Sequence, residues 1–102
     1  MIHVIATVEV APGRREAFLA EFRRVVTLVR AEAGCLEYVP AIDRPTGLAA
    51  QVPAREDVVT ILERWESLEA LRAHLAAAHM AEYRARVKGL VARVQLQILQ
   101  PA

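Results

Sequence analysis

A chain of 102 residues, 55% of them apolar, holds material for one core, because a domain of this size removes only about 65% of its unfolded surface from water. One domain spanning residues 1–102 is therefore expected. Thirteen Lys and Arg stand against twelve Asp and Glu, with basic residues interleaved among acidic ones, which argues against nucleic acid as a partner. No apolar run approaches the roughly 20 residues of a membrane-spanning helix, and Met1-Ile2-His3-Val4-Ile5 lacks the character of a leader, so a cytoplasmic protein without membrane contact is expected.

Taken in chain order, Ile2 to Val10 alternates, with Ile2, Val4, Ala6, Val8 and Val10 on one face and His3, Ile5, Thr7 and Glu9 on the other, which predicts a strand. Ala11-Pro12-Gly13 ends it. A helix follows whose stripe of Phe18, Phe22, Val25, Val26 and Val29 predicts a core face. Gly34 suits the left-handed position after such a helix. The single cysteine, Cys35, excludes an intramolecular disulfide and a Cys-based metal site, and reads as a small buried apolar residue.

A second strand is predicted from about Cys35 to Ile42, then a long connection from Asp43 to Asp57 that includes Pro45, Gly47 and Pro53. Val58-Val59-Thr60-Ile61-Leu62 opens a third strand, apolar on both faces, that runs on to Glu63-Arg64-Trp65. Ser67 is a suitable N-cap for the next helix, with Glu69 in its first turn. Leu68, Leu71 and Leu75 define one stripe of that helix, while Met80, Tyr83, Val87 and Leu90 fall on another rotated by more than ~90°. A break between Ala76 and His79 reconciles them. A last strand carries Val94, Leu96 and Ile98 on one face.

The order β, α, β, β, broken α, β predicts an α+β, ferredoxin-like fold, with a four-stranded antiparallel sheet and helices on one face. The apolar character of strands one and three on both sides leaves the helix-free face more apolar than a monomer usually exposes. A homodimer, sheet against sheet, is expected to cover it.

Three stretches carry a family likeness: Glu32-Ala33-Gly34-Cys35-Leu36-Glu37-Tyr38, Glu63-Arg64-Trp65-Glu66-Ser67-Leu68-Glu69-Ala70-Leu71, and His74 with His79 shortly after. In this order and spacing, with these elements, the chain resembles the antibiotic biosynthesis monooxygenase family. The resemblance implies a dimeric α/β barrel with a pocket in each subunit between the sheet and its own helices. It also implies oxygenation of a small aromatic or quinol substrate by O2 without metal, flavin or other cofactor. Some relatives degrade haem, a trait that goes with an Asn in the first strand; this chain has no Asn, and Thr7 lies in that region. A dimeric module that binds a small molecule without turnover, or serves in stress responses, is the alternative of a different class.

Residue chemistry narrows the site. Glu63 and Trp65 are two apart on a strand and share a face with Val59 and Ile61. A carboxylate among such neighbours needs a partner, and His74, flanking the leucine stripe of the following helix, is the expected one. Glu63 would orient the imidazole and raise its pKa, making His74 the proton-handling group. The plain alternative is a pair that only anchors helix to sheet. Trp65, Tyr38 and Tyr83 are the candidate aromatic walls of a substrate pocket, each competing with an ordinary core role. His79, also a candidate contact, could equally cap the helix break. His3 reads as a surface or sheet-edge residue, Arg64 and Arg72 as solvated or cross-dimer charges, and the three histidines give no metal-ligand spacing. No dinucleotide fingerprint, P-loop or nucleophile elbow is present.

Overall fold

The computed structural model describes residues 1–102. Its elements are β1 (Ile2–Val10), α1 (Arg15–Arg30), β2 (Cys35–Ala41), β3 (Val58–Trp65), α2 (Leu68–Ala76), α3 (Ala78–Val87) and β4 (Val91–Leu99). The strands form one antiparallel sheet in the order β2-β3-β1-β4. This is the ferredoxin-like α+β arrangement expected from the alternation of patterns.

Register decides which residues meet. Residues directly opposite in an antiparallel pair share a face, so the row Tyr38, Glu63, Val4 and Ile98 crosses the sheet on one side, with Pro40, Ile61, Ala6 and Leu96 beside it. That side faces the helices over its central strands. Val4, Ala6, Val8 and Val10 of β1 and Val59, Ile61 and Trp65 of β3 pack against Phe18, Phe22, Val25 and Val29 of α1, all buried. The helical stripe of α1 is core, as its period indicates. Burying a side chain of this size contributes roughly 1.5–3 kcal/mol, so the β1–β3–α1 layer is the main source of stability.

The second helical region differs from its sequence pattern in one respect. The break is real: Ala77 is extended at φ −64° and ψ 142°, and the buried face passes from Leu71 and His74 in α2 to Met80, Tyr83 and Val87 in α3. However, Leu68 and Leu75 are exposed, so the core stripe of α2 is Leu71 with His74, and not the three leucines. Ser67 caps α2, its hydroxyl accepting the Ala70 N–H at 3.1 Å. One further expectation needs adjustment, since Cys35 is only half-buried. Of the two places expected for His3, surface or sheet edge, the edge is excluded: it lies partly exposed on central strand β1, opposite Arg64 and Leu99.

Gly34 ties the ends of the structure that hold the site. It has φ +82°, a conformation costly for any residue with a Cβ, and a Cβ there would lie 2.6 Å from the Cβ of Ala70. Its carbonyl accepts the Glu66 N–H at 2.9 Å. The turn after α1 is thereby fixed against the β3–α2 corner.

The outer strand β4 is covered less well. Val94, Leu96 and Ile98 point to the helix side but remain about half exposed, because no helix reaches over them. On the opposite face, Val39, Leu62 and Ile5 form an apolar row across β2, β3 and β1, bordered by Thr7, Thr60 and the Glu37–Arg64 pair. No helix is long and apolar enough to cross a membrane.

Candidate active site

A cavity of about 260 Å³ lies between the helix side of the sheet and the broken helix. Its floor is Ala6, Val8, Ile61 and Glu63; α2 and α3 supply His74, Leu75, Met80, Tyr83 and Arg84; Tyr38 closes one end, and Val94 with Leu96 of β4 form the open side. The walls are mostly apolar, so the few polar groups that face it are strongly felt.

Glu63 is 7% exposed. The Trp65 indole N–H donates to its Oε1 at 2.9 Å. Burial pushes the Glu63 carboxyl up to about 7, a rise moderated by the Trp65 hydrogen bond and reinforced by the charge of Glu32. A carboxyl of this kind is divided between acid and carboxylate near neutral pH.

His74 does not pair with Glu63. Its Nδ1 lies 2.9 Å from Oε2 of Glu32, in the turn after α1, and the same oxygen lies 2.7 Å from Nε2 of His79. The expected Glu63–His74 contact is thus replaced by a Glu32-centred cluster: Glu63 is engaged by Trp65, and His74 of α2 meets the turn after α1. The expected rise in the pKa of His74 is reversed as well. Burial lowers it below the ordinary imidazole value, outweighing the hydrogen bond and charge of Glu32, while His79 and Arg84 push it further down. Nε2 of His74 makes no protein hydrogen bond, yet no completely buried side-chain nitrogen or oxygen lacks a partner. That nitrogen is therefore not sealed inside the protein, and His74 is one of the residues that line the cavity.

The aromatic candidates divide. Tyr38 and Tyr83 line the cavity. Tyr38 stacks on Phe22 at 5.3 Å between centroids, and Tyr83 meets Phe18 and Phe22 edge-on. Burial, then the charge of Glu63, raises both phenols far above their usual range, so they stay protonated. Arg30 holds β2 here, its Nε and Nη2 donating to the Tyr38 carbonyl at 3.1 and 3.0 Å. Trp65 is not a wall: it is fully buried behind His74, ring centroids 4.6 Å apart. His79 is not a wall either, but stands behind Glu32 with its side chain 23% exposed.

Two participants escaped the sequence reading. Glu32 lies in a turn, where neither helical nor strand period marks a residue as inward. Arg84 of α3 donates from Nη2 at 3.2 Å to the Leu75 carbonyl, one of the groups the helix break leaves without a helical partner. The sequence signal available for Glu32 is its place at the head of the family-like stretch Glu32 to Tyr38, beside the Gly34 turn. No group of three or more His, Cys, Asp or Glu side chains is arranged to hold a metal ion.

Comparison with known proteins identifies the family and supports the fold. The family model described as antibiotic biosynthesis monooxygenase matches residues 1–86. The chain is 41% identical to the Escherichia coli K12 protein named probable quinol monooxygenase YgiN, over 99% of this chain and 98% of that one. Among solved structures, PA3566 from Pseudomonas aeruginosa superposes with a TM-score of 0.81 at 30% identity, covering 99% of this chain and 93% of that one. Rv0793 from Mycobacterium tuberculosis superposes with a TM-score of 0.79, also at 30% identity, covering 99% and 94%. The chain belongs to the antibiotic biosynthesis monooxygenase family.

Proposed function

We propose that this protein is a monooxygenase that oxidises a small aromatic or quinol substrate with O2 and no cofactor, using His74 as the proton acceptor. The observation that carries the reading is the His74 imidazole on the wall of an apolar cavity that also holds the Glu63 carboxyl, with burial lowering the pKa of the one and raising that of the other. Size agrees. An apolar cavity of roughly 150 Å³ accommodates a benzene ring, so about 260 Å³ suits one or two fused rings. The name of the Escherichia coli relative points to the same substrate class.

Ground-state O2 is a triplet, and its direct reaction with a closed-shell organic molecule is spin-forbidden. A quinol becomes a good one-electron donor once deprotonated, so the base starts the reaction. His74 Nε2 takes the hydroxyl proton, and the quinolate passes one electron to O2. The resulting radical pair combines at carbon to a peroxide, and loss of water leaves one oxygen atom in the product and the other in that water. Glu63, when protonated, donates to the developing peroxide or phenolate oxygen, and Tyr38 and Tyr83 bound the ring. The apolar walls limit water and strengthen each of these contacts. Trp65 serves by holding Glu63 and backing His74.

Oxygen-electrode assays with a series of quinols test this. Wild-type protein should consume O2 well above an enzyme-free blank, and His74→Ala should lose about 10²-fold or more with its fold intact. Wild-type rates equal to the blank across the series would favour the binding-module reading, and an unaffected His74→Ala protein would remove His74 from the chemistry.

The working unit is proposed to be a homodimer joined through the helix-free faces, supported by the apolar row of Val39, Leu62 and Ile5. Leu62 is 39% exposed in the monomer. Sedimentation at micromolar concentration should give a dimer, and Leu62→Asp should give aggregated or unfolded protein; a stable wild-type monomer would end this proposal.

A further inference from the structure

The carboxylate shared by two imidazoles has a consequence for the base. A neutral imidazole carries one N–H, and the partner of one ring nitrogen decides which nitrogen keeps the lone pair. Glu32 Oε2 lies at 2.9 Å from His74 Nδ1 and 2.7 Å from His79 Nε2. An ionised carboxylate only accepts, so both nitrogens donate to it.

We propose that Glu32 is a positioning residue: it fixes His74 as the Nδ1–H tautomer, directing the Nε2 lone pair into the cavity, while His79 steadies the carboxylate from the surface side. This rests on the reading of His74 as the proton acceptor, and it adds Glu32 and His79 to the groups on which that role depends.

Three features support it. Nε2 of His74 has no protein partner and the residue lines the cavity, so the choice made at Nδ1 is the one that counts for a substrate. The three side chains run outward in exposure, 2% for His74, 13% for Glu32 and 23% for His79. His79 therefore fastens from outside a carboxylate that a turn alone would leave to several rotamers. The main chain at Glu32 is already held: its N–H donates to the Val29 carbonyl at 3.0 Å, its carbonyl accepts from Cys35 at 3.1 Å, and Gly34 two residues later abuts Ala70. With the backbone anchored and the carboxylate bonded twice, the His74 ring has a defined orientation, further confined by Trp65 and Tyr38 at centroid distances of 4.6 and 5.4 Å. The titratable and charged groups around His74 are Glu32 from the α1–β2 turn, His79 and Arg84 from α3, Glu63 from β3 and Tyr38 from β2. Glu32 is the one of these that hydrogen-bonds the ring.

The tautomer can be read without turnover. Two-bond proton–nitrogen correlation spectra of protein labelled with 15N-histidine, at neutral pH, should show His74 protonated on Nδ1, the minor form of a neutral imidazole in water. In Glu32→Ala the ring should revert to the Nε2–H form. Glu32→Gln keeps the volume and offers an amide oxygen without the charge. In quinol oxidation its kcat/KM should fall about tenfold, a loss typical of groups that orient a functional histidine. The limb of its pH profile governed by His74 should also move to lower pH, because the Glu32 hydrogen bond and charge are what raise the imidazole against its burial. His79→Ala should cost less, and His79→Gln, whose amide N–H can still donate to Glu32, should recover most of that loss. A wild-type spectrum with His74 protonated on Nε2 overturns the proposal whether or not the variants fold. So does an unchanged tautomer in folded Glu32→Ala, or a lower rate in Glu32→Gln with the pH limb unmoved, which is the mark of a structural role only. An Nδ1–H tautomer lost in Glu32→Ala, in a wild-type protein that oxidises no quinol, upholds the positioning and overturns the oxidation reading alone.

Discussion

Two carboxylates in this molecule each collect several hydrogen bonds, and they serve different ends. Asp43, at the start of the long β2–β3 connection, accepts from the Arg55 backbone N–H at 2.9 Å and from its Nε and Nη2 at 2.8 and 3.0 Å. Glu32 accepts from two imidazoles beside a mostly apolar cavity. At the surface the partner is a permanent cation, so the Arg55 hydrogen bonds hold Asp43 down at about 2 and nothing changes charge near neutrality. In the interior, burial moves Glu63 up to about 7, where it exchanges a proton near neutrality, and moves His74 down, which favours the neutral ring that can accept one. Desolvation, more than the number of bonds, separates a clamp from a candidate site.

The largest effect should come from disturbing the joint that sets the interior cluster. Gly34→Ala combines a left-handed φ with a 2.6 Å approach to Ala70, and the expected loss is about 3 kcal/mol from strain and overpacking together. Urea unfolding would measure it; a loss below about 1 kcal/mol would show that the turn can relax and that the Glu32 position is less constrained than the packing indicates.

Glu63→Gln sharpens the comparison through pH. The folded carboxyl lies near 7, above its ordinary 4.5, so the folded state binds more protons between those values and its stability falls as pH rises through that window. The amide removes the penalty and still accepts from Trp65. Relative to wild type, the variant should gain roughly 2 kcal/mol at pH 8, with the gain fading toward pH 5. Taking the difference between the two proteins cancels the opposite slope from His74, which binds fewer protons when folded and so favours the folded state as pH rises through its own range. A pH-independent difference would place the Glu63 carboxyl at an ordinary acidity.

Asp43→Asn should do least. The Arg55 side chain is 46% exposed, and a pair of this kind is worth less than about 1 kcal/mol and is screened by salt. Its contribution is present above the ordinary carboxylate range and lost as pH falls through about 2, so thermal melts near neutral pH should change by a few degrees at most, with quinol oxidation unaltered. A variant that lost activity would tie the connection to the cavity.

Much of this architecture was legible in the residue pattern. Alternation in Ile2 to Val10, the Phe18–Val29 stripe and the rotated stripe at Met80 are local periodicities, and a period states which side of an element is apolar without knowledge of its neighbours. They determined the element order and a break between Ala76 and His79, while side-chain chemistry and the family resemblance made Glu63, His74, Tyr38 and Tyr83 candidates for one pocket. The tertiary structure decided the pairings. Glu63 and Trp65 are neighbours on one strand and found each other, whereas His74 found Glu32, 42 residues away in a turn that has no period to read. It likewise hid Trp65 behind His74, exposed Leu68 and Leu75, and left the inward face of β4 half open. Each of these depends on how far one packed layer reaches over another. A side chain's tendency to be buried is written locally, while the partner it meets is set by the three-dimensional path of the chain.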